Sequence, residues 1–424
     1  MIEDHPLRYA LANELHARPF PMLASPCTVV YLAIKQPKDA ATRERDKDQA
    51  HLAALLERYG APLPRAGATH YSGQIGRHQL KWEQHTEFIS YTACSDGVSS
   101  RPFDAKDFEI FPEDWLNAAP GKRVTSIMLR IETVSDVREI IPKLPEWFDS
   151  ESVAAACIPP GTNIAVGDFR IDPAGHMRFA VGVEDALDSS EIARIVQNLC
   201  EIETYKAMSM LGFSRVQSLS PQIGVLDANL TELMGQMTAD EGASDATLNK
   251  LLAISVELEA MAAKSAFRLA ATRAYEALVN QRITALRETR FESFQTIGEF
   301  MVRRYQPAMR TVRSTERRIA VLSNRAMRAS ELLRTRVDVE RSAQNQEVLR
   351  SMDRRADLQL QLQRTVEGLS VVAISYYAVS LAGNLLQPLV GASGFSAGGL
   401  TALITVPIVL VVWWLVRRIR LRIE

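Results

Sequence analysis

The chain has 424 residues, 47% hydrophobic and 23% charged, with a formal net charge of -1. That length allows two or three folded units, and that balance lets them bury a core. A nearly neutral chain excludes a bulk electrostatic claim on nucleic acid or on an acidic partner. The cysteines Cys27, Cys94, Cys157 and Cys200 form no C-x-x-C pair, which excludes a zinc knuckle and a thioredoxin-type motif. Isolated thiols suit a reducing compartment, where they act as small core hydrophobes. The opening MIEDHPLRYA has no basic n-region and no apolar h-region, so no signal peptide is expected.

In chain order, Leu7, Leu11 and Leu15 share one helical face and predict a short helix over His5 to Ala17. Arg18-Pro19-Phe20-Pro21 ends it, because proline removes a donor and restricts the residue before it. Cys27 to Ile34 is β-branched and apolar, a strand. Ala40 to Tyr59 is an amphipathic helix closed by Gly60 and Pro62. Strands are predicted over Gln79 to Cys94, Val124 to Ile131, Thr162 to Ile171 and Met177 to Val183. Pro173-Ala174-Gly175 turns the last two into a hairpin.

At Asp188-Ser189-Ser190-Glu191 a capping pattern opens a helical half. One helix is expected from Ser189 to Met210 with a break near Gly212. Another runs from Ile223 to Met237, and a third from Ser244 or Asp245 to Arg287. The last begins near Phe291, with Pro307 placed to kink it. Ile319, Leu322, Ala326, Ala329 and Leu333 keep a 3,4 spacing, a coiled-coil-like seam that resumes at Val348 and Met352. No proline or glycine lies between Pro307 and Gly368, a stretch of about 90 Å as helix, long enough for a stalk. Arg303 to Arg364 is arginine-rich and lysine-free, a solvated face suited to an anionic leaflet rather than to nucleic acid.

Two apolar segments follow, Val366 to Val390 and Gly398 to Val416. Each is long enough for a hydrocarbon core of about 30 Å, which takes roughly 20 helical residues. Arg354, Arg355 and Arg364 flank the first, and Arg417, Arg418, Arg420 and Arg422 the second. Both flanks are therefore expected in the cytoplasm. Glu367, Ser370, Tyr377 and Asn384 fall close to one helical stripe, with Ser380 beside it. Polar groups in a span need a partner or water. The stripe thus reads either as helix–helix hydrogen bonding or as the wall of a water-filled path. Pro407 is placed to kink the second span, and Trp413-Trp414 suit an interfacial belt.

Two soluble clusters carry candidate chemistry. In HPLRYALANELHARPFP, Asn13 and His16 are i, i+3 neighbours and Glu14 and Arg18 are i, i+4 neighbours. They read as a face for a partner or an anionic ligand, or as ordinary salt bridges on a docking helix. Glu83, His85 and Glu87 alternate along the predicted strand and would project from one face. Two carboxylates flanking an imidazole could bind a divalent metal or do acid/base work, or simply decorate a solvated sheet. There is no G-x-G-x-x-G, Walker, G-x-S-x-G or H-E-x-x-H pattern. The chain is accordingly not expected to be an enzyme, and no cofactor is expected.

The strings HPLRYALANELHARPFP from His5, LKWEQHTEFISYTA from Leu80, EIETYKAMSMLG from Glu201 and LQRTVEGLSVVAISYY from Leu362 resemble a bacterial family of uncharacterised membrane-anchored proteins. The resemblance covers almost the whole chain and brings no activity with it. The architecture is also similar to that of CorA-type divalent-cation channels, in which a cytoplasmic α/β domain is followed by a stalk helix and two spans. Those channels carry Gly-Met-Asn at the end of the first span; here the place reads Ala382-Gly383-Asn384, without the methionine. The likeness implies a homo-oligomeric ring, with Mg²⁺ or another divalent cation as the transported ion. Gly383 and Asn384 would form its mouth and Glu367, Ser370, Tyr377 and Ser380 its wall.

The expected architecture is an α+β cytoplasmic domain over 1–187, a helical domain over 188–290 and a stalk over 291–365. A two-helix transmembrane hairpin over 366–416 and a basic tail over 417–424 complete it. The expected location is a bacterial inner membrane, with membrane lipid and a homo-oligomer as partners. Two functions are compatible: a CorA-like cation channel or transporter, and a pore-free anchored scaffold or sensor binding a cytoplasmic protein partner through its N-terminal domain.

Overall fold

The computed structural model describes residues 3–9, 21–37, 43–160, 163–184, 187–238, 245–393 and 397–423. The chain divides into two compact units. One takes Met1–Thr238 and Asn249–Ala329, the other Ala239–Leu248 and Ser330–Glu424. The first unit is a mixed α+β body with long helices.

Its elements in chain order are β1 (Cys27–Lys35), α1 (Arg45–Arg58), β2 (His70–Ile75), β3 (His78–Gln84), β4 (Phe88–Asp96), α2 (Glu113–Asn117) and β5 (Lys122–Thr133). Then come α3 (Leu144–Trp147), β6 (Ala154–Ile158), β7 (Asn163–Ile171), β8 (Met177–Val183), α4 (Ser189–Thr238), α5 (Asp245–Leu286), β9 (Thr289–Arg290) and α6 (Ile297–Arg304). The strands form one nine-stranded sheet in the order β2-β3-β4-β1-β5-β8-β7-β6-β9. The β5–β8 pair is parallel; its neighbours on either side, β1–β5 and β7–β8, are antiparallel.

β1 shows why the sheet is covered on both faces. Val29, Tyr31 and Ala33 join a core with Ile192, Ile195, Val196 and Leu199 of α4. The alternate residues Val30, Leu32 and Ile34 join a second core with Leu52, Leu55 and Leu56 of α1 and with Trp82, Tyr91 and Trp115. Side chains of a strand alternate between faces, so an unbroken apolar run is what a doubly covered strand requires. A third cluster joins Ile140, Leu144, Trp147 and Phe148 to Ile164 and Val166 of β7. Cys27, Cys94 and Cys200 are free and buried, and burial pushes the Cys27 thiol up to about 12, so they serve as core packing.

Three expectations are corrected here. Gln79 to Cys94 is not one strand: β3 ends at Gln84 and β4 starts at Phe88, with His85, Thr86 and Glu87 in the turn. The His85 amide donates to the Phe88 carbonyl at 2.9 Å to close the turn. The helix expected to break near Gly212 does not break, and α4 runs through Gly212 and Pro221 as one 50-residue helix. A Cβ at Gly212 would overlap the Thr272 side chain of α5, so this glycine serves close helix contact and not a stop. The helix expected from Phe291 starts at α6, where Thr296 accepts from the Glu299 amide and Glu299 reciprocates in a capping box. A new helix, α7 (Gln306–Ser393), then begins one residue before Pro307. Proline is tolerated in the first helical turn, where its missing N–H has no intrahelical partner, so it opens this helix instead of kinking it.

Within the first unit, the seam residues Ile319, Leu322, Ala326 and Ala329 are buried. Arg318 and Arg325 of α7 reach Asp227 of α4 at 2.7 and 3.4 Å, and Arg313 reaches Glu276 of α5 at 3.2 Å. The seam therefore closes a helix bundle inside one chain. In the second unit Val348 and Met352 are exposed, and every residue from 341 to 366 is exposed. The last element is α8 (Ala397–Ile423), apolar over most of its length.

Candidate functional site

Two helices are long and apolar enough to cross a membrane. One lies in Ile297–Leu386, the other is Thr401–Ile419, and none of the latter's apolar window is buried in the chain. Leu369, Val372, Leu381 and Leu385 of α7 and Leu403, Val406 and Leu410 of α8 all face outward. Trp413 and Trp414 carry the guanidinium groups of Arg417 and Arg418 over their rings, each at 5.1 Å. Both are cation–π contacts at the end of the apolar segment.

The polar stripe of the first apolar helix resolves residue by residue. Glu367 accepts from Gln363 Nε2 at 3.3 Å. Ser370 Oγ donates back to the Val366 carbonyl at 2.8 Å, a local bond that satisfies a hydroxyl inside a helix. The Tyr377 ring meets Tyr376 edge-on at 5.9 Å. Ser380 and Asn384 are exposed, and Gly383 is half-buried, with open space where a Cβ would stand. Ser375, outside the expected stripe, is buried with no partner for its hydroxyl.

Glu83, His85 and Glu87 go to three different partners. Glu83 pairs with the buried Lys81 at 2.9 Å. The His85 ring stacks on Phe88 at 4.2 Å, and its Nε2 lies 3.1 Å from Ser90 Oγ. Glu87 leaves this group and pairs with Arg268 of α5. Glu83 and His85 share a small cavity of about 20 Å³ with Tyr31, Gln197, Glu201 and Thr204. That is room for about one water molecule. Glu201 is held by Gln197 and by Arg282. Among the described residues no cluster of three or more His, Cys, Asp or Glu is disposed to hold a metal ion. Asn13, Glu14, His16 and Arg18 lie outside the described residues.

A concave site rich in cations lies elsewhere in the first unit. A groove of about 770 Å³ is bounded by Lys35, Lys122, Arg123, Arg215, Lys264 and Arg268, with Ser214 and Ser218 on the α4 wall. No carboxylate is among its described lining residues. β1 pairs antiparallel with β5 so that Lys35 stands opposite Lys122 and Ile34 opposite Arg123. Ser214 and Ser218 are one helical turn apart on α4, as are Lys264 and Arg268 on α5. Of the six cations, Arg268 is neutralised by Glu87, and the Lys35 ammonium donates to the Gln36 carbonyl at 2.9 Å. Sequence reading missed this site. The Lys122-Arg123 pair and the Lys264/Arg268 spacing were visible, but nothing in the order of residues brings four separate elements together.

The description "Protein of unknown function (DUF3422)" belongs to the family whose pattern this chain matches over residues 3–423. No curated protein and no solved structure matches it.

Proposed function

We propose, for a chain that belongs to the DUF3422 family, a membrane-anchored protein without a pore, whose α+β body works as a scaffold or sensor. The observation that carries this reading is the outward apolar surface of Thr401–Ile419, none of whose window is covered by the chain. In water such a surface is strongly unfavourable; in hydrocarbon it is the ordinary state of a spanning helix. The apolar part of α7 and all of α8 then form a hairpin. Arginines on both flanks favour a cytoplasmic body in a bacterial inner membrane. The bundle of α4, α5 and α7 already occupies the seam at Ile319 to Ala329, which leaves that seam no role in holding copies together.

A second reading keeps the CorA-like channel. Ser380 and Asn384 stand exposed on the first apolar helix, and polar groups facing hydrocarbon seek polar partners, which a ring of copies would supply. One experiment separates anchor from channel and tests both. Membranes carrying the full chain are washed with alkaline carbonate, and the retained protein is weighed in nanodiscs by native mass spectrometry. Retention with one or two chains per disc supports the anchored scaffold. A closed ring of about five supports the channel. Release of the chain into the carbonate wash refutes membrane anchoring in either form.

A further inference from the structure

We infer that the groove between β1, β5, α4 and α5 is a binding site for a phosphate group carrying two negative charges or more. The argument begins with cost. Lys35 and Lys122 are cross-strand partners, and like charges placed directly opposite destabilise a sheet. Among the described residues, Lys122, Arg123, Arg215 and Lys264 form no ion pair, although ion pairs are common elsewhere in this unit. Four cations without carboxylates around one concavity make a focused positive field, which attracts an anion and holds it at the wall.

Three features narrow the ligand. The four cations come from three elements, β5, α4 and α5, so they approach from different directions. That suits a tetrahedral group with several acceptor oxygens better than a planar carboxylate, which one arginine can satisfy. The Ser214 hydroxyl adds a neutral group on the same wall, while the Ser218 hydroxyl donates to the Arg215 carbonyl at 2.7 Å. Val124, Ala207, Leu211 and Pro37 also line the groove, giving an apolar side for whatever the phosphate is attached to. About 770 Å³ lies in the range of small-molecule sites. An open groove of that size accepts a phosphorylated small molecule or one lipid headgroup.

This inference does not depend on the membrane reading. The test uses the full chain in non-ionic detergent at low salt, with inorganic pyrophosphate as the probe in isothermal titration. Saturable binding of one probe per chain is expected, weakening as salt rises. Arg215→Ala and Lys264→Ala should each lower affinity roughly tenfold, the loss of one charge-assisted contact. Lys264→Arg keeps the charge and should bind nearly as the parent does, which separates loss of charge from loss of fold. Absence of saturable binding, or binding undiminished in the double alanine variant, overturns the proposal. A second arm identifies the source of the phosphate. Adding phosphatidic acid, whose headgroup is a phosphate monoester able to carry two charges, to the detergent micelles displaces pyrophosphate if a headgroup occupies the groove. It leaves pyrophosphate bound if the ligand is soluble.

Discussion

Asp48 is 1% exposed, and three side chains converge on its carboxylate. Gln36 Nε2 donates at 3.1 Å, Gln84 Nε2 at 3.2 Å, and Arg43 makes a buried ion pair. Removing one partner of a buried pair strands the other charge. Asp48→Ala should therefore destabilise the first unit by about 3–5 kcal/mol. Urea unfolding of the full chain in detergent reads this, and a loss below about 1 kcal/mol would contradict it. Histidine sets the pH response. Burial pushes His51, His78 and His176 below the ordinary imidazole value, which is about 6.5 in an unfolded chain. The unfolded state then binds more protons than the native state just below that pH. The histidine contribution is complete above about pH 6.5 and is lost as the pH falls below it. The melting temperature should drop between pH 7.5 and 5.5, and His51→Gln should flatten the slope. An unchanged slope would show that His51, bonded to Tyr91 and to the Trp115 carbonyl, titrates alike in both states. None of these partners is legible from spacing, because Asp48 meets Gln84 across 36 positions and His51 meets Trp115 across 64.

Among the elements, α4 makes the sharpest statement. Its glycines look equivalent along the chain, yet a Cβ at Gly212 would strike Thr272 while one at Gly224 meets nothing within 4 Å. Gly212→Ala should cost about 1–3 kcal/mol through overpacking against α5. Gly224→Ala should be neutral or stabilising by up to about 1 kcal/mol, since alanine is the better helix former. Comparing the two melting temperatures checks this, and equal shifts would mean that the helix contact is looser than drawn. Strands with strong apolar or β-branched runs were legible: β1, β5, β7 and β8 fall where periodicity puts them. β2, HYSGQI, and β6, AAACI, were not, because glycine, serine and alanine carry little strand preference and are held in place by their neighbours. The turn at His85 to Glu87 escaped notice for the opposite reason. It has no glycine or proline, and the flanking strands read as one continuous run. The bundle helices were legible as helices, but whether a 3,4 seam faces its own chain or another copy is a tertiary fact that the spacing does not hold.

At the scale of the whole molecule, the stretch 341–366 stands out as helix with every residue exposed. It contains Arg341, Arg350, Arg354, Arg355 and Arg364. A helix with every residue exposed opens locally at low free energy, so it is the expected first target of a protease. Limited trypsin digestion of the full chain in detergent should cut first among these arginines, with the α+β body surviving intact by mass spectrometry. A first cut within the β1–β8 region would contradict the burial described for it. The two apolar helices were the plainest part of the sequence, because runs of that length and composition stand out from the rest, whereas the basic groove was hidden in four elements.

The juxtaposition of Lys35 and Lys122 across β1 and β5 has one more consequence. Like charges gathered at one groove oppose one another, and an anion that fits between them offsets that opposition. Mass action then turns the groove into its own reporter. A ligand at one hundred times its dissociation constant adds about 2.7 kcal/mol to the stability of the state that binds it. A panel of phosphorylated metabolites, screened for the rise in melting temperature that each produces and repeated on Arg215→Ala, would name the occupant without any assay of activity.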